Sequence, residues 1–465
     1  MKNRLLQIIL AIFVGFSFIS CEDTLNTLFS SAPQERTFYA MDATNNSYYL
    51  LNADKIGEGN HCIIYLERNA GGNVTASQGQ AIVNEYESNI YRKMVDSFGQ
   101  IEDIDGNGKV IFLLLDIKDG YEYPGGYIGG YFNPTDLFKK TIYPYSNEAD
   151  MLYIDIYPQE LSKDGLYSTM AHELQHLISF SNTFLKNGAQ QDLWINEGLS
   201  SGAEYIYQGK QLDHRIDYFN NDYGGTIHQG NNFYIWEGSW DDDVLADYAT
   251  VYLFFQWLRI HATNGTSIYK DIINSGVTDY TAVLNPAKSK INSTLTWESI
   301  LRNWMLANLM KSPSGLTGYK GLINTTVYGH GEPSGGSFPL YPGEGVFSSL
   351  TGNFTPGGAS GADIKYAGIS SGGSIKTTPP YTGNYLLTYN ANTSTAEISQ
   401  NGEILASYSG SLPVAGNISS AGAGSSRSAL PKSYPVGLRI SPDGTIANEM
   451  DNEGNAGASG KVSGK

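Results

Sequence analysis

Ser168-Thr169-Met170-Ala171-His172-Glu173-Leu174-Gln175-His176-Leu177-Ile178 is the stretch that decides how this chain is read. On an α-helix, residues four apart share a face, one turn along the axis. His172 and His176 can therefore offer two imidazole nitrogens to one tetrahedral cation, with Glu173 beside them facing any water on it. Ser168 and Thr169 can cap a helix start, and no Pro or Gly interrupts the run from Ser168 to Leu185. Met170, Leu174, Leu177 and Ile178 form an apolar stripe at i, i+4, i+7 and i+8, and the histidines lie off it. The helix has a core face and a separate ligand face.

A second amphipathic helix is expected from Asp192 to Tyr207, carrying Trp194-Ile195-Asn196-Glu197-Gly198-Leu199-Ser200. Catalytic zinc takes three protein ligands and keeps an open position, and two histidines with one glutamate are a standard set. Glu197 is the natural third ligand. Ser201 and Glu204 follow it at i+4 and i+7 on the same face, and Glu204 is the preferred partner to orient a ligand imidazole. The bland alternative is two ordinary helices with a solvated glutamate and histidines that meet the spacing by chance.

The pair of segments around His172–His176 and Trp194–Ser200 resembles the gluzincin group of zinc peptidases, in which a second helix supplies the glutamate. The wording from Tyr167 to Phe180 is similar, more narrowly, to the hyicolysin-like family of bacterial secreted metallopeptidases. Asp103–Ile117, Gly129–Phe132, Ser146–Asp155, Asp247–Leu258 and Trp304–Ala307 resemble that family too, so the likeness covers residues 40 to 310. It implies a zincin-like α+β catalytic domain with peptide bonds as substrate. Spacing alone shows only a hydrolytic zinc site. The chain lacks a G-x-M-E-N segment of the kind gluzincin aminopeptidases carry, and 20 residues separate His176 from Glu197, slightly more than is usual there. Both departures count against exopeptidase action.

In this reading Zn²⁺ held by His172, His176 and Glu197 activates a water, and Glu173 acts as general base and then acid. Such chemistry also benefits from a donor to the developing oxyanion. Tyr248 and Tyr252 sit on an expected helix in the right half of the chain and either could serve, as could His228 or His261.

Only 16% of the residues are charged, and the net charge is −17. That balance argues against nucleic acid and against electrostatic docking on anionic lipid. Lys2 and Arg4 followed by the apolar run Leu5–Ile19 read as a signal peptide over residues 1–20. The run is too short for a permanent span. Phe18-Ile19-Ser20-Cys21 resembles a permissive lipobox, which would make Cys21 the acylated first residue of a tether over residues 21–35. Ordinary cleavage beside an incidental cysteine is the alternative. The protein is then extracytoplasmic, lipid-anchored to a bacterial membrane or secreted, and is expected to be a monomer. Removal of Lys2 and Arg4 takes the charge from −17 to −19. Cys62 would remain as an inert core thiol.

The catalytic domain is expected over residues 36–328. Small sheet strands at Thr37–Ala40, Ser47–Leu51 and Cys62–Leu66 precede a helix over Ala76–Phe98 with Ile82, Tyr86, Ile90 and Met94 on one face. Val110–Leu115 reads as a buried strand, and Met151–Tyr157 as the strand before the metal helix. Helices over Asp192–Tyr207, Leu245–His261, Ile268–Asn274 and Thr296–Met310 form a mainly helical second half, with the cleft between the halves. Asp103, Asp105 and Asn107 resemble the start of a calcium loop, but the twelfth position falls on Leu114 inside the strand, which excludes a full EF-hand. Residues 329–361 are rich in Gly, Pro and Ser and read as a linker, 362–412 as a small β accessory domain, and 413–465 as a low-complexity flexible tail.

The leading expectation is an extracytoplasmic zinc endopeptidase. A surface binding protein or adhesin on a degenerate peptidase fold is the alternative, and it would be free to lose Glu173. A glycan hydrolase using two carboxylates leaves the histidine pair unexplained.

Overall fold

A computed structural model describes residues 35–121, 127–222, 227, 230, 233–234, 244–327, 329–330, 340, 342–356, 363–393, 397–398, 404–405, 436–440 and 446–447. Its main sheet is built on two strands with every residue buried, β4 (Val110–Leu115) and β6 (Met151–Asp155). An unbroken apolar run suits a strand covered on both faces. Val110, Phe112 and Leu114 enter the large core on the helical side, while Ile111, Leu113 and Leu115 enter a second core on the other face. That is the two-residue period of a strand.

β3 (Cys62–Glu67) runs parallel to β4, which runs parallel to β6. β1 (Glu35–Asp42) and β2 (Ser47–Glu58) extend one side as an antiparallel pair. On the other side β5 (Tyr127–Phe132) runs antiparallel to β6, with Gly130 opposite Ile154 and Tyr131 opposite Tyr153. β14 (Val436–Ile440) and β15 (Ile446–Ala447) complete the order β1-β2-β3-β4-β6-β5-β14-β15. The second core closes over a buried network, in which Tyr153 O–H donates to Asp136 Oδ2 at 2.7 Å and Asn147 Nδ2 donates to the Tyr39 carbonyl at 2.9 Å.

The helical side begins with α1 (Gly79–Glu85) and α2 (Tyr91–Phe98), joined through a π turn at Tyr86–Ile90. A strict four-residue spacing drifts around a 3.6-residue helix, and the wider turn keeps Ile82, Tyr86, Ile90 and Met94 all buried. There follow α3 (Leu166–Asn182), α4 (Phe184–Asn187), α5 (Leu193–Gln208), α6 (Asp213–Asn221), α7 (Val244–His261), α8 (Ser267–Ile273), α9 (Thr281–Lys290) and α10 (Trp297–Met310). The α+β class is as expected. α3 starts two residues before the anticipated caps, after Gly165, so Ser168 and Thr169 lie inside it and are buried.

Composition misleads over residues 329–361. There β7 (Gly329–His330) and β8 (Gly345–Ser349) join β9 (Ile364–Ile369), β10 (Ile375–Lys376) and β11 (Tyr385–Asn390) in a five-stranded sheet of order β10-β9-β11-β8-β7. Gly, Pro and Ser around β8 mask a five-residue strand whose Val346 and Phe347 are buried. Nor is this sheet a separate accessory body, since Phe347, Ala367, Ile369, Leu387 and Tyr389 belong to the same core as the helices. β12 (Glu397–Ile398) and β13 (Ile404–Leu405) pair with each other. The expected flexible tail holds β14 and β15, whose short runs lack the periodicity that a whole tail would need to stand out in sequence.

Candidate metal centre

α3 is buried almost all round, Tyr167 being its one residue outside the buried class. A helix so placed can keep His172, Glu173 and His176 only if a second polar face meets them. α5 supplies that face. Gly198 makes the approach possible from behind, because a Cβ there would lie 2.2 Å from the Phe255 ring on α7. Gly198→Ala should therefore overpack the α5–α7 seam and cost about 1–3 kcal/mol, read as a lowered Tm in thermal unfolding. An unchanged Tm would show that the seam can relax.

His172 and His176 stand one turn apart with ring centroids 4.8 Å from each other. His172 Nε2 lies 3.4 Å from Glu197 Oε2, and His176 Nε2 lies 3.6 Å from Glu197 Oε1. Zinc–ligand bonds of about 2.0–2.1 Å at tetrahedral angles place ligand atoms about 3.3–3.4 Å apart. Buried and without a well-formed hydrogen bond, both Nε2 atoms are orphaned polar groups. The three side chains fit a metal ion in spacing, donor chemistry and burial alike.

Around these three, a second set of contacts fixes their orientation. Glu204 Oε1 lies 3.0 Å from His172 Nδ1, which turns the other ring nitrogen towards Glu197. Ser168 Oγ donates to Glu204 Oε2 at 3.4 Å, and Arg215 Nη2 stands 3.8 Å from Glu204 Oε1. The Arg215 guanidinium also covers the Tyr248 ring at 4.2 Å. Tyr248 O–H donates to Glu197 Oε2 at 3.0 Å, and Ser200 Oγ donates to the Glu197 carbonyl at 3.0 Å. Glu204→Gln should weaken metal binding by about 10–100-fold, measured by competition with a chromogenic chelator. Unchanged affinity would remove Glu204 from the orienting role.

Burial lowers the His172 pKa, but Glu197 and Glu204 outweigh it and push the ring up to about 10. Burial takes His176 down to about 4. Glu173 is driven well above the ordinary carboxylate range, first by burial and then by its acidic neighbours against the pull of His172. A dication among these groups would favour neutral imidazoles and ionised carboxylates. Glu173 itself packs against β5, where a Cβ on Gly130 would sit 3.2 Å from Glu173 Cγ, and the Phe132 N–H faces its carboxylate.

Among the described residues expected as oxyanion donors, Tyr248 alone is brought to this centre. Tyr252, one turn on, is held away: its hydroxyl accepts from the Leu212 N–H at 2.9 Å and donates to Gln211 Oε1 at 2.5 Å. His261 sits at the far end of α7, its Nε2 2.8 Å from the Gly318 carbonyl. His228 and Cys21 lie outside the described residues. Ser201 is buried, but the imidazole partner is Glu204. Sequence reasoning missed Arg215, since nothing in the spacing of α6 ties it to the motif. Cys62 is buried, and burial raises its thiol pKa to about 12, as suits an inert core residue.

The acidic loop gathers a different trio from the one expected. Asp103 and Asp105 meet Asp150, their carboxylate oxygens within 4.8 Å. Asn107 is spent on the turn, donating to Asp105 Oδ2 at 2.7 Å and accepting from the Lys109 N–H at 2.6 Å. Burial raises the Asp150 pKa to about 7, and Asp150 also accepts from the Ile104 N–H at 3.1 Å.

No helix among the described residues is long and apolar enough to cross a membrane. No family model matches the chain. Over 256 residues the chain is 34% identical to the neutral metalloprotease ShpI of Staphylococcus hyicus. The match takes in 53% of this chain and spans 57% of the relative's length, so what this chain resembles, over about half of each, is a metalloprotease.

Proposed function

We propose that the chain is an extracytoplasmic zinc endopeptidase with a zincin-like catalytic domain that begins near residue 36 and shares its core with the five-stranded sheet beyond residue 328. The observation that carries this reading is the convergence of His172 Nε2 and His176 Nε2 on the Glu197 carboxylate, 3.4 and 3.6 Å from its oxygens, with Glu173 alongside. The likeness to a metalloprotease supports peptide bonds as the substrate. His172, His176 and Glu197 would hold the metal, and zinc, when bound, supplies a Lewis acid for the scissile carbonyl and a lowered pKa for water. Glu173 takes the proton of the attacking water on its carboxylate and delivers it to the leaving amine nitrogen. Tyr248, the tyrosine beside Glu197, donates its O–H to the oxygen on which charge develops. Glu204, steadied by Ser168 and Arg215, holds the His172 ring in place.

Cys21 is proposed as the lipid-bearing residue that anchors the chain to a bacterial membrane. Calcium is proposed as the ligand of the Asp103–Asp105–Asp150 group, and added calcium should then raise the Tm.

The deciding experiment is hydrolysis of an unfolded protein such as casein by the zinc-loaded chain, with and without a chelator. Cleavage abolished by the chelator and restored by zinc is the expected result. A folded, zinc-loaded chain that cleaves nothing would overturn the general endopeptidase. Tyr248→Phe should lower kcat by about 10²–10³ with KM little changed. An unchanged kcat would take the donor role from Tyr248.

A further inference from the structure

β5 is the sheet strand nearest the catalytic residues. Its Gly130 is so close to α3 that a Cβ there would lie 2.8 Å from Thr169 Cγ2 and 3.2 Å from Glu173 Cγ. Two residues on, the Phe132 N–H faces the Glu173 carboxylate. One edge of β5 pairs with β6 inside the sheet. The other edge faces away from β6, and a strand edge of this kind binds extended polypeptide by main-chain hydrogen bonds. A peptide lying there passes directly beside Glu173.

That edge is taken by the chain's own C-terminal region. β14 runs antiparallel along it, with Val436 opposite Phe132, Gly437 opposite Tyr131 and Leu438 opposite Gly130. The register then shifts at Leu438/Arg439 and resumes with Arg439 opposite Ile128 and Ile440 opposite Tyr127. β14 also touches α3, which carries His172 and Glu173, and β15 touches α7, which carries Tyr248. The backbone of residues 436–438 therefore faces the same two residues of β5, Gly130 and Phe132, that border Glu173.

We infer that β14 and β15 form an internal occupant of the substrate-binding edge, so that the chain carries its own competitive inhibitor. This rests on the endopeptidase reading, because the edge is a substrate groove only if Glu173 acts on peptides. An occupant on the same chain competes as if present at an effective concentration on the order of millimolar. Incoming polypeptide must displace it, which raises the apparent KM and leaves kcat alone.

The test compares the full zinc-loaded chain with G437P/L438P. Successive residues of a strand point their N–H groups to opposite sides, so the double change removes a donor to β5 whichever residue supplies it. A fluorescein-labelled peptide with the sequence of residues 436–447 is titrated into each chain and followed by anisotropy. Binding to the variant at least tenfold tighter than to the wild type is expected, as is a casein KM at least fivefold lower at equal kcat. Equal peptide binding by the two chains would overturn the inference. Because anisotropy needs no turnover, failure of the endopeptidase reading shows separately, as casein left intact by both chains. Amide exchange on the wild type gives a measurement free of the prolines. Slow exchange across residues 127–132 supports the pairing, and exchange at the rate of an open strand edge refutes it.

Discussion

Glu173→Gln is expected to keep its fold and bound zinc and to lose about 10²–10⁴ in kcat. Glutamine matches glutamate in size, so it fits the space that Gly130 leaves beside α3 and disturbs neither His172 nor His176. What it lacks is the capacity to accept a proton from water and pass it on. The loss should therefore fall on kcat, with KM for casein within a few fold of wild type. Removing a buried carboxylate that stands among Glu197 and Glu204 also relieves like-charge repulsion, so the Tm should hold or rise. Zinc content and Tm are measured beside the rate. Activity within threefold of wild type would place the base elsewhere.

Glu197→Gln tests the metal rather than the proton. Structural zinc sites in small peptides bind with about 10–16 kcal/mol, and on that scale losing one of three ligands forfeits on the order of a third, or about 10²–10⁴ in affinity. This exceeds the loss expected for Glu204→Gln, because Glu204 acts through His172. At a free-zinc level that just saturates the wild type, the variant should be metal-poor and inactive by atomic absorption and casein assay, and excess zinc should restore part of the rate. Full metal content with full activity would exclude Glu197 as a ligand. The wild type treated with chelator should melt at a lower temperature than the zinc-loaded chain, since zinc favours only the folded state.

The centre was legible in sequence because its residues lie at helical spacings. His172 and His176 are four apart on α3, and Glu197 and Glu204 are seven apart on α5, so one face of each helix could be read directly. The buried strands β4 and β6 were legible for a similar reason, as short unbroken apolar runs. Periodicity fails where a contact depends on tertiary placement. Tyr248 and Tyr252 are also four apart on α7, yet one reaches Glu197 and the other turns to Gln211 and Leu212. Arg215 reaches Glu204 from α6, across an angle that no local pattern encodes. Asp150 joins Asp103 and Asp105 from a neighbouring parallel strand's start, 45 residues beyond Asp105. Composition misjudged β8 and β14 because a five-residue strand among Gly, Ser and Pro alters the average of its region very little.

The five-stranded sheet presses Phe347, Leu387 and Tyr389 into the core that also holds α10, and Met305 on that helix lies against β8, where a Cβ on Gly345 would come within 2.5 Å of its sulfur. Heat should therefore melt both parts in one calorimetric transition instead of two. A chain shortened at residue 328 would bare this apolar seam, and it should come out of solution rather than persist as an independent enzyme.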